Sequence, residues 1–187
     1  MSETRFKFHK NSQAAGALYA WRHDLAKWDR GGRARLRRCA SPLDAVFEPA
    51  FHHLLERIEG AHGKALGKDD RASLAAVAAL VARLPGDAVA TEPEAAKSKR
   101  LSLPTLLGTG AEGSRDQPRL HPLRFRKILD ARNVDELFPV LRRALDVLGT
   151  DVDLVSLADG VLLWGDNTRR LWAYDYYAAF SPKGASR

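Results

Sequence analysis

Apolar residues in this chain recur every three to four positions, and no stretch of four or more residues alternates convincingly between apolar and polar. A helix turns every 3.6 residues and a strand repeats every two, so this spacing directs the chain towards helices packed on helices. Leu18, Trp21, Leu25 and Trp28 step by 3, 4 and 3, which makes one face of a helix from about Ser12 apolar, with Asn11 or Ser12 as its cap. Gly31-Gly32 is expected to loosen the chain before RARLRRCA, a short basic helix that Ser41-Pro42 ends. Val46, Phe47, Phe51, Leu54, Leu55 and Ile58 continue the pattern, with Pro49 suited to a first turn and Gly60 and Gly63 closing the helix. Asp69 or Asp70 is read as the cap of the next, whose stripe is Leu74, Val77, Val81 and Leu84 and whose stop is Pro85-Gly86.

Residues 86–118 change character. GDAVATEPEAAKSKR and GTGAEGSRDQP are rich in Gly, Pro, Ser and charge, and LSLPTLLG between them has the makings of one apolar turn. Helical order is expected to return at His121-Pro122 with the basic LHPLRFRKIL. Asn133 and Glu136 then form an N-x-x-E analogue of a capping box ahead of the stripe Val134, Leu137, Leu141, Leu145 and Leu148. A further helix is expected from about Val152 to Trp164, stopped by Gly165, and a last one, TRRLWAYDYYAAF, capped by Asp166 or Asn167. The expected architecture is therefore all-α, a two-lobed helical bundle of eight or nine helices: an N-terminal lobe over 1–85, a flexible connector over 86–118 and a C-terminal lobe over 119–187.

Several classes of function drop out on composition and motif. With 187 residues the chain buries enough surface to need no covalent staple, and the lone Cys39 excludes an internal disulfide and a cysteine zinc site. No apolar run approaches the roughly 20 residues that span a bilayer, and MSETRFKFHKNSQ holds no apolar stretch of signal-peptide type, so a cytoplasmic protein is expected. GTGAEG (Gly108 to Gly113) fits the G-x-G-x-x-G string, but no strand precedes it and SRDQP follows, so a flexible loop is the better reading. Gly60 to Ala65 lacks the glycine spacing and the hydroxyl of a phosphate loop, and reads as a helix end. His52 and His53 diverge by about 100° around a helix, and no H-E-x-x-H or G-x-S-x-G string occurs. Nothing nominates a catalytic pair, a metal or another cofactor. The four Trp and four Tyr recur at helical spacing beside Leu and Ala, and read as core before they read as base-stacking platforms.

Charge is the remaining signal. The formal net charge is +7, and of 30 basic residues 21 are Arg. Arg grips phosphate as a planar fork, although GC-rich coding also favours it over Lys. From Arg22 to Arg38 there are seven bases and two acids; from Arg115 to Arg143, eight bases and four acids. Arg30, Arg33 and Arg37 fall within about 60° of one another on an ideal helix, Arg124 and Lys127 share a face, and Arg142-Arg143 and Arg169-Arg170 are paired forks. RARLRR has no acid within local reach, which leaves its charge for a partner. The pattern supports a binder of phosphate backbone without base readout.

Taken together, ALYAWRHDL, RARLRRCASP, PAFHHLL, LHPLRFRKIL, LFPVLRRAL and WGDNTRRLWAYDYYAAF resemble the CasB family, the small subunit of the type I-E CRISPR Cascade complex, from about Ala17 to Tyr177, with 86–118 as a variable segment. The resemblance implies a two-lobed helical protein without catalytic activity. It implies as partners the other Cascade subunits (backbone and large), a second copy paired head to tail, the guide RNA and the target DNA, whose R-loop the subunit stabilises while a separately recruited helicase-nuclease cuts. Carried over residue by residue, the family's basic surface falls on Arg37, Arg38, Arg119, Arg124, Arg142 and Arg143; Arg33, Arg35, Arg126, Lys127, Arg169 and Arg170 are neighbours added from charge alone. Guide pairing supplies sequence recognition and strand exchange is nearly isoenergetic, so several backbone contacts of roughly 1 kcal/mol each suffice to tip it. A scaffold whose basic faces dock acidic protein surfaces is the alternative.

Overall fold

The computed structural model describes residues 5–9, 12–85, 101–110, 117–148 and 152–180. Ser12 caps the first helix, α1 (Gln13–Lys27), its side chain accepting from the Ala15 N–H. Trp28 lies just past the helix end and is 73% exposed, so the fourth member of the expected stripe leaves the core that Leu18, Trp21 and Leu25 enter. The next helix, α2 (Arg30–Arg38), begins at the two glycines expected to loosen the chain. Asp29 caps it, accepting from the Gly32 N–H at 2.7 Å, and a Cβ on Gly32 would lie 2.1 Å from the Asp29 carboxylate.

Two short helices raise the total to ten among the described residues, against the eight or nine expected. One, α3 (Pro42–Val46), carries a Ser41/Asp44 capping box and ends where Pro49 starts α4 (Pro49–His62), so the apolar run from Val46 is divided between two helices. The other, α6 (Leu103–Gly108), forms from LSLPTLLG. Its Gly108 lies so close to the last helix that a Cβ there would stand 2.3 Å from the Tyr176 carbonyl oxygen. Of the segment expected to be a connector, residues 86–100 and 111–116 lie outside the described residues.

The centre is α5 (Lys68–Arg83), whose residues Ser73 to Ala82 are all buried. It has no solvent-facing stripe over that length because α2, α3 and α4 pack on it from the N-terminal half and α8 (Val134–Leu148) and α9 (Leu154–Leu162) from the other. Alanines at 75, 76, 78, 79 and 82 let those neighbours come close. Asp70, expected as a cap, is buried, and its carboxylate takes the Arg5 Nε–H at 2.7 Å and the Phe6 N–H at 2.9 Å. Phe8 donates its N–H to Asp159 at 2.7 Å, and burial raises the pKa of that carboxyl despite the bond. The outer end is built from α6, α7 (Pro122–Asp130) and α10 (Asp166–Phe180). Trp164, before α10, donates to the Ala131 carbonyl at 2.9 Å, and Gly160 of α9 makes room for the Trp172 indole.

Candidate nucleic-acid interface

Helix α2 is basic because its outward positions are nearly all Arg, yet its guanidinium groups have different fates. Arg33 turns inward: its Nε donates to the Ala82 carbonyl at 3.2 Å and its Nη2 to the Leu84 carbonyl at 2.8 Å. These are carbonyls at the C-terminal end of α5, which have no acceptor role inside the helix and sit at the negative end of its dipole. Arg35 meets Glu48 at 2.7 Å, so the expectation that RARLRR finds no acid holds only locally; the partner is thirteen residues away and arrives through the fold. Arg30, Arg37 and Arg38 are exposed, and their side chains have no hydrogen-bond or ion-pair partner among the described residues.

The end of α2 abuts α8. Arg142 donates from Nη1 to the Cys39 carbonyl at 3.0 Å, and the next residue, Arg143, is exposed and without a side-chain partner among the described residues. Arg83, at the end of α5, fixes the junction: it grips Asp146 of α8 through two bonds of 3.0 and 2.7 Å and donates to the Arg37 carbonyl. Arg142 and Arg83 thus join the end of α2, which carries Arg37 and Arg38, to the helix that carries Arg143. Just after α2, Asp44 accepts from the Ala40 and Ser41 N–H groups, which hold its carboxyl below the usual range. Burial, then Glu48 and Asp44, raises the Cys39 thiol.

The second basic surface lies on α7. His121 caps the helix, accepting from the Leu123 N–H, and Pro122 sets its first turn. Phe125 and Ile128 face inward, which leaves Arg124, Arg126 and Lys127 exposed and free of side-chain partners among the described residues. The helix is held by Tyr176, fully buried, whose ring stacks on Phe125 with centroids 3.8 Å apart and whose hydroxyl donates to the Leu120 carbonyl at 2.6 Å. Desolvation pushes the Tyr176 pKa up to about 12. Arg169 ties α10 to the same helix through the Leu129 carbonyl at 2.5 Å and pairs with Asp166 at 3.0 Å; Arg170 beside it is exposed. Arg119 is half-buried, and its Nε is buried without a hydrogen-bond partner among the described residues.

Of the twelve residues nominated from sequence, Arg33, Arg35, Arg142 and Arg169 carry intramolecular bonds, Arg119 is half-buried with its Nε unsatisfied among the described residues, and Arg37, Arg38, Arg124, Arg126, Lys127, Arg143 and Arg170 are exposed without side-chain partners among the described residues. Sequence reasoning passed over Arg83 and Arg5, which belong to no basic helical stripe; each turns out to bridge separate helices. Among the described residues no three His, Cys, Asp or Glu side chains converge as metal ligands, and no helix is long and apolar enough to cross a membrane.

The sequence model of the family described as CRISPR-associated protein Cse2 matches residues 32–177, and Cse2 is CasB under its other name. Among solved structures, the chain is similar to a subunit in the crystal structure of E. coli Cascade bound to a PAM-containing dsDNA target. The TM-score is 0.64 at 19% sequence identity, over 92% of this chain and 97% of that one. No curated protein matches the sequence.

Proposed function

Because this chain belongs to the CRISPR-associated Cse2 family, we propose that it is a non-catalytic subunit of a Cascade assembly that holds nucleic-acid backbone through its unpaired arginines. The observation that carries the reading is that Arg37, Arg38 and Arg143 are exposed without side-chain partners among the described residues, on helices that Arg142 joins, and that Arg124, Arg126, Lys127 and Arg170 are likewise exposed on α7 and α10, which Arg169 joins. Each surface offers guanidinium forks that no internal acid satisfies, which is what recognition of a phosphate track without base readout requires. In the E. coli relative the assembly holds a dsDNA target. On this reading the chain's partners are other Cascade subunits, a second copy of itself, the guide RNA and the target DNA, and added phosphate contacts stabilise the R-loop while the guide supplies sequence.

The test is a salt titration of the purified chain against a random-sequence oligonucleotide. With about five phosphates neutralised, log K falls against log salt with a slope of about −3.5 to −4.5; a flat response would falsify the reading. Large apolar side chains beside the second basic set, Leu123 and Leu171 at 70% and 62% exposure, favour a scaffold role as the second reading. There, Arg37→Ala with Arg38→Ala impairs assembly while the assembled complex binds DNA unchanged.

A further inference from the structure

Trp28 is the one tryptophan among the described residues that is not in the core. Trp21, Trp164 and Trp172 are 3%, 8% and 5% exposed, against 73% for Trp28. An indole left in water at that level forgoes a large hydrophobic gain, so its surroundings indicate what covers it. They are cationic. Lys27 lays its ammonium over one face of the Trp28 ring, 4.7 Å from the centroid, so a flat partner would meet the other face, and Arg30 opens α2 two residues later, exposed and without a side-chain partner among the described residues.

Of the two acids close by, Asp24 pairs with Arg57 at 2.7 Å, and Asp29, which caps α2 through the Gly32 N–H, is the one anion left against the two cations Lys27 and Arg30. The indole therefore stands in a field of net positive charge, at the start of a helix whose other end, about 13 Å away, carries Arg37 and Arg38. An apolar protein surface would gain nothing from that charge. A nucleobase brings both a flat face for the indole and a phosphate for the cations, and it is available only where a strand is unpaired.

Resting on the phosphate-binding reading above and deepening it, we infer that Trp28 is a stacking platform for a base of single-stranded nucleic acid, with Lys27 and Arg30 holding the adjoining phosphates. The first basic surface thereby prefers an unpaired strand to a duplex, whose bases are closed to the indole. No sequence preference follows, since every base presents a π-face.

The experiment measures acrylamide quenching of tryptophan fluorescence in the full chain, with a single-stranded homopolymer and with a duplex of equal phosphate count. The single strand shields the exposed indole and the duplex leaves it open. Trp28→Ala weakens single-strand binding by about five- to a hundredfold, leaves duplex binding unchanged, and removes the quenchable signal; Trp28→Phe retains most of the affinity. The side chain is exposed, so thermal melts of both variants match the parent. If the single strand binds yet the indole stays open and Trp28→Ala binds as the parent does, the inference is overturned and the phosphate reading stands. If Trp28→Ala costs assembly with other subunits and not strand binding, a protein covers the indole and the inference is likewise overturned. Absence of binding to either nucleic acid overturns both.

Discussion

Helix α2 carries five arginines in nine residues and α7 three cations in nine, yet each leaves three without side-chain partners among the described residues. In α2, Arg33 is bound to the terminal carbonyls of α5 and Arg35 to Glu48. In α7, Arg124, Arg126 and Lys127 all face solvent. The difference lies in what each helix is packed against. Helix α2 lies along the end of a central helix, where orphan carbonyls and a nearby carboxylate draw guanidinium groups in. Helix α7 turns Phe125 and Ile128 inward, Phe125 onto Tyr176, and the donors that reach its backbone come from Arg169 and Trp164 elsewhere in the chain, so its own cations have no internal work. A dense run of charge thus overstates the charge a partner can reach.

That contrast can be broken most directly at Arg33. Arg33→Met leaves two carbonyls at the end of α5 without donors and is expected to cost about 3 kcal/mol in urea unfolding, whereas Arg124→Ala stays within about 0.5 kcal/mol. Equal losses would erase the distinction. Replacing Arg124, Arg126 and Lys127 together by Ala is expected to weaken nucleic-acid binding about twentyfold and to flatten the salt slope by about two to three, with an unchanged melting temperature. An unchanged slope would show that α7 faces something other than phosphate.

The apolar anchoring of α7 is tested by Tyr176→Phe, which keeps the ring stack and removes the hydroxyl bond to Leu120, for a loss of about 1 kcal/mol. The sign of its pH dependence follows from burial. A phenol whose folded pKa is raised to about 12 gives stability that is whole below the ordinary value of 10.0 and is lost as pH rises towards 12. The parent's alkaline loss of stability should therefore be shallower in the Phe variant. The smallest effect is expected from Glu48→Gln, which releases Arg35. Nucleic-acid binding should strengthen about two- to threefold, as befits an exposed ion pair.

Interactions between near neighbours in sequence were legible in advance. Asn133 and Glu136 cap α8 as their spacing predicts, with the Glu136 N–H donating to Asn133 at 2.9 Å, because three residues along a helix is also three residues in space. The all-α architecture followed from the same periodicity. What could not be read was set by distant partners. Asp70 looks like a cap and instead receives Arg5 and the Phe6 N–H, sixty-five and sixty-four residues away. Trp28 continues a stripe on an ideal helix, but α1 ends one residue before it. Glycines 31 and 32 look like a break, whereas a capping Asp29 makes them the first turn of α2. For the candidate site the sequence supplied the cations, and tertiary packing decided which of them remain unpaired.

The segment at residues 5–9 has a consequence for the order of folding. Phe6 and Phe8 are buried, and the segment is tied at two sequence distances: Arg5 and the Phe6 N–H reach Asp70, whereas Phe8 reaches Asp159 and Arg5 also reaches the Leu162 carbonyl, 151 and 157 residues further along. Loops that long are costly to close, so the knot at α9 is among the last contacts to tighten, and a chain truncated before α9 leaves Phe8 without its mooring.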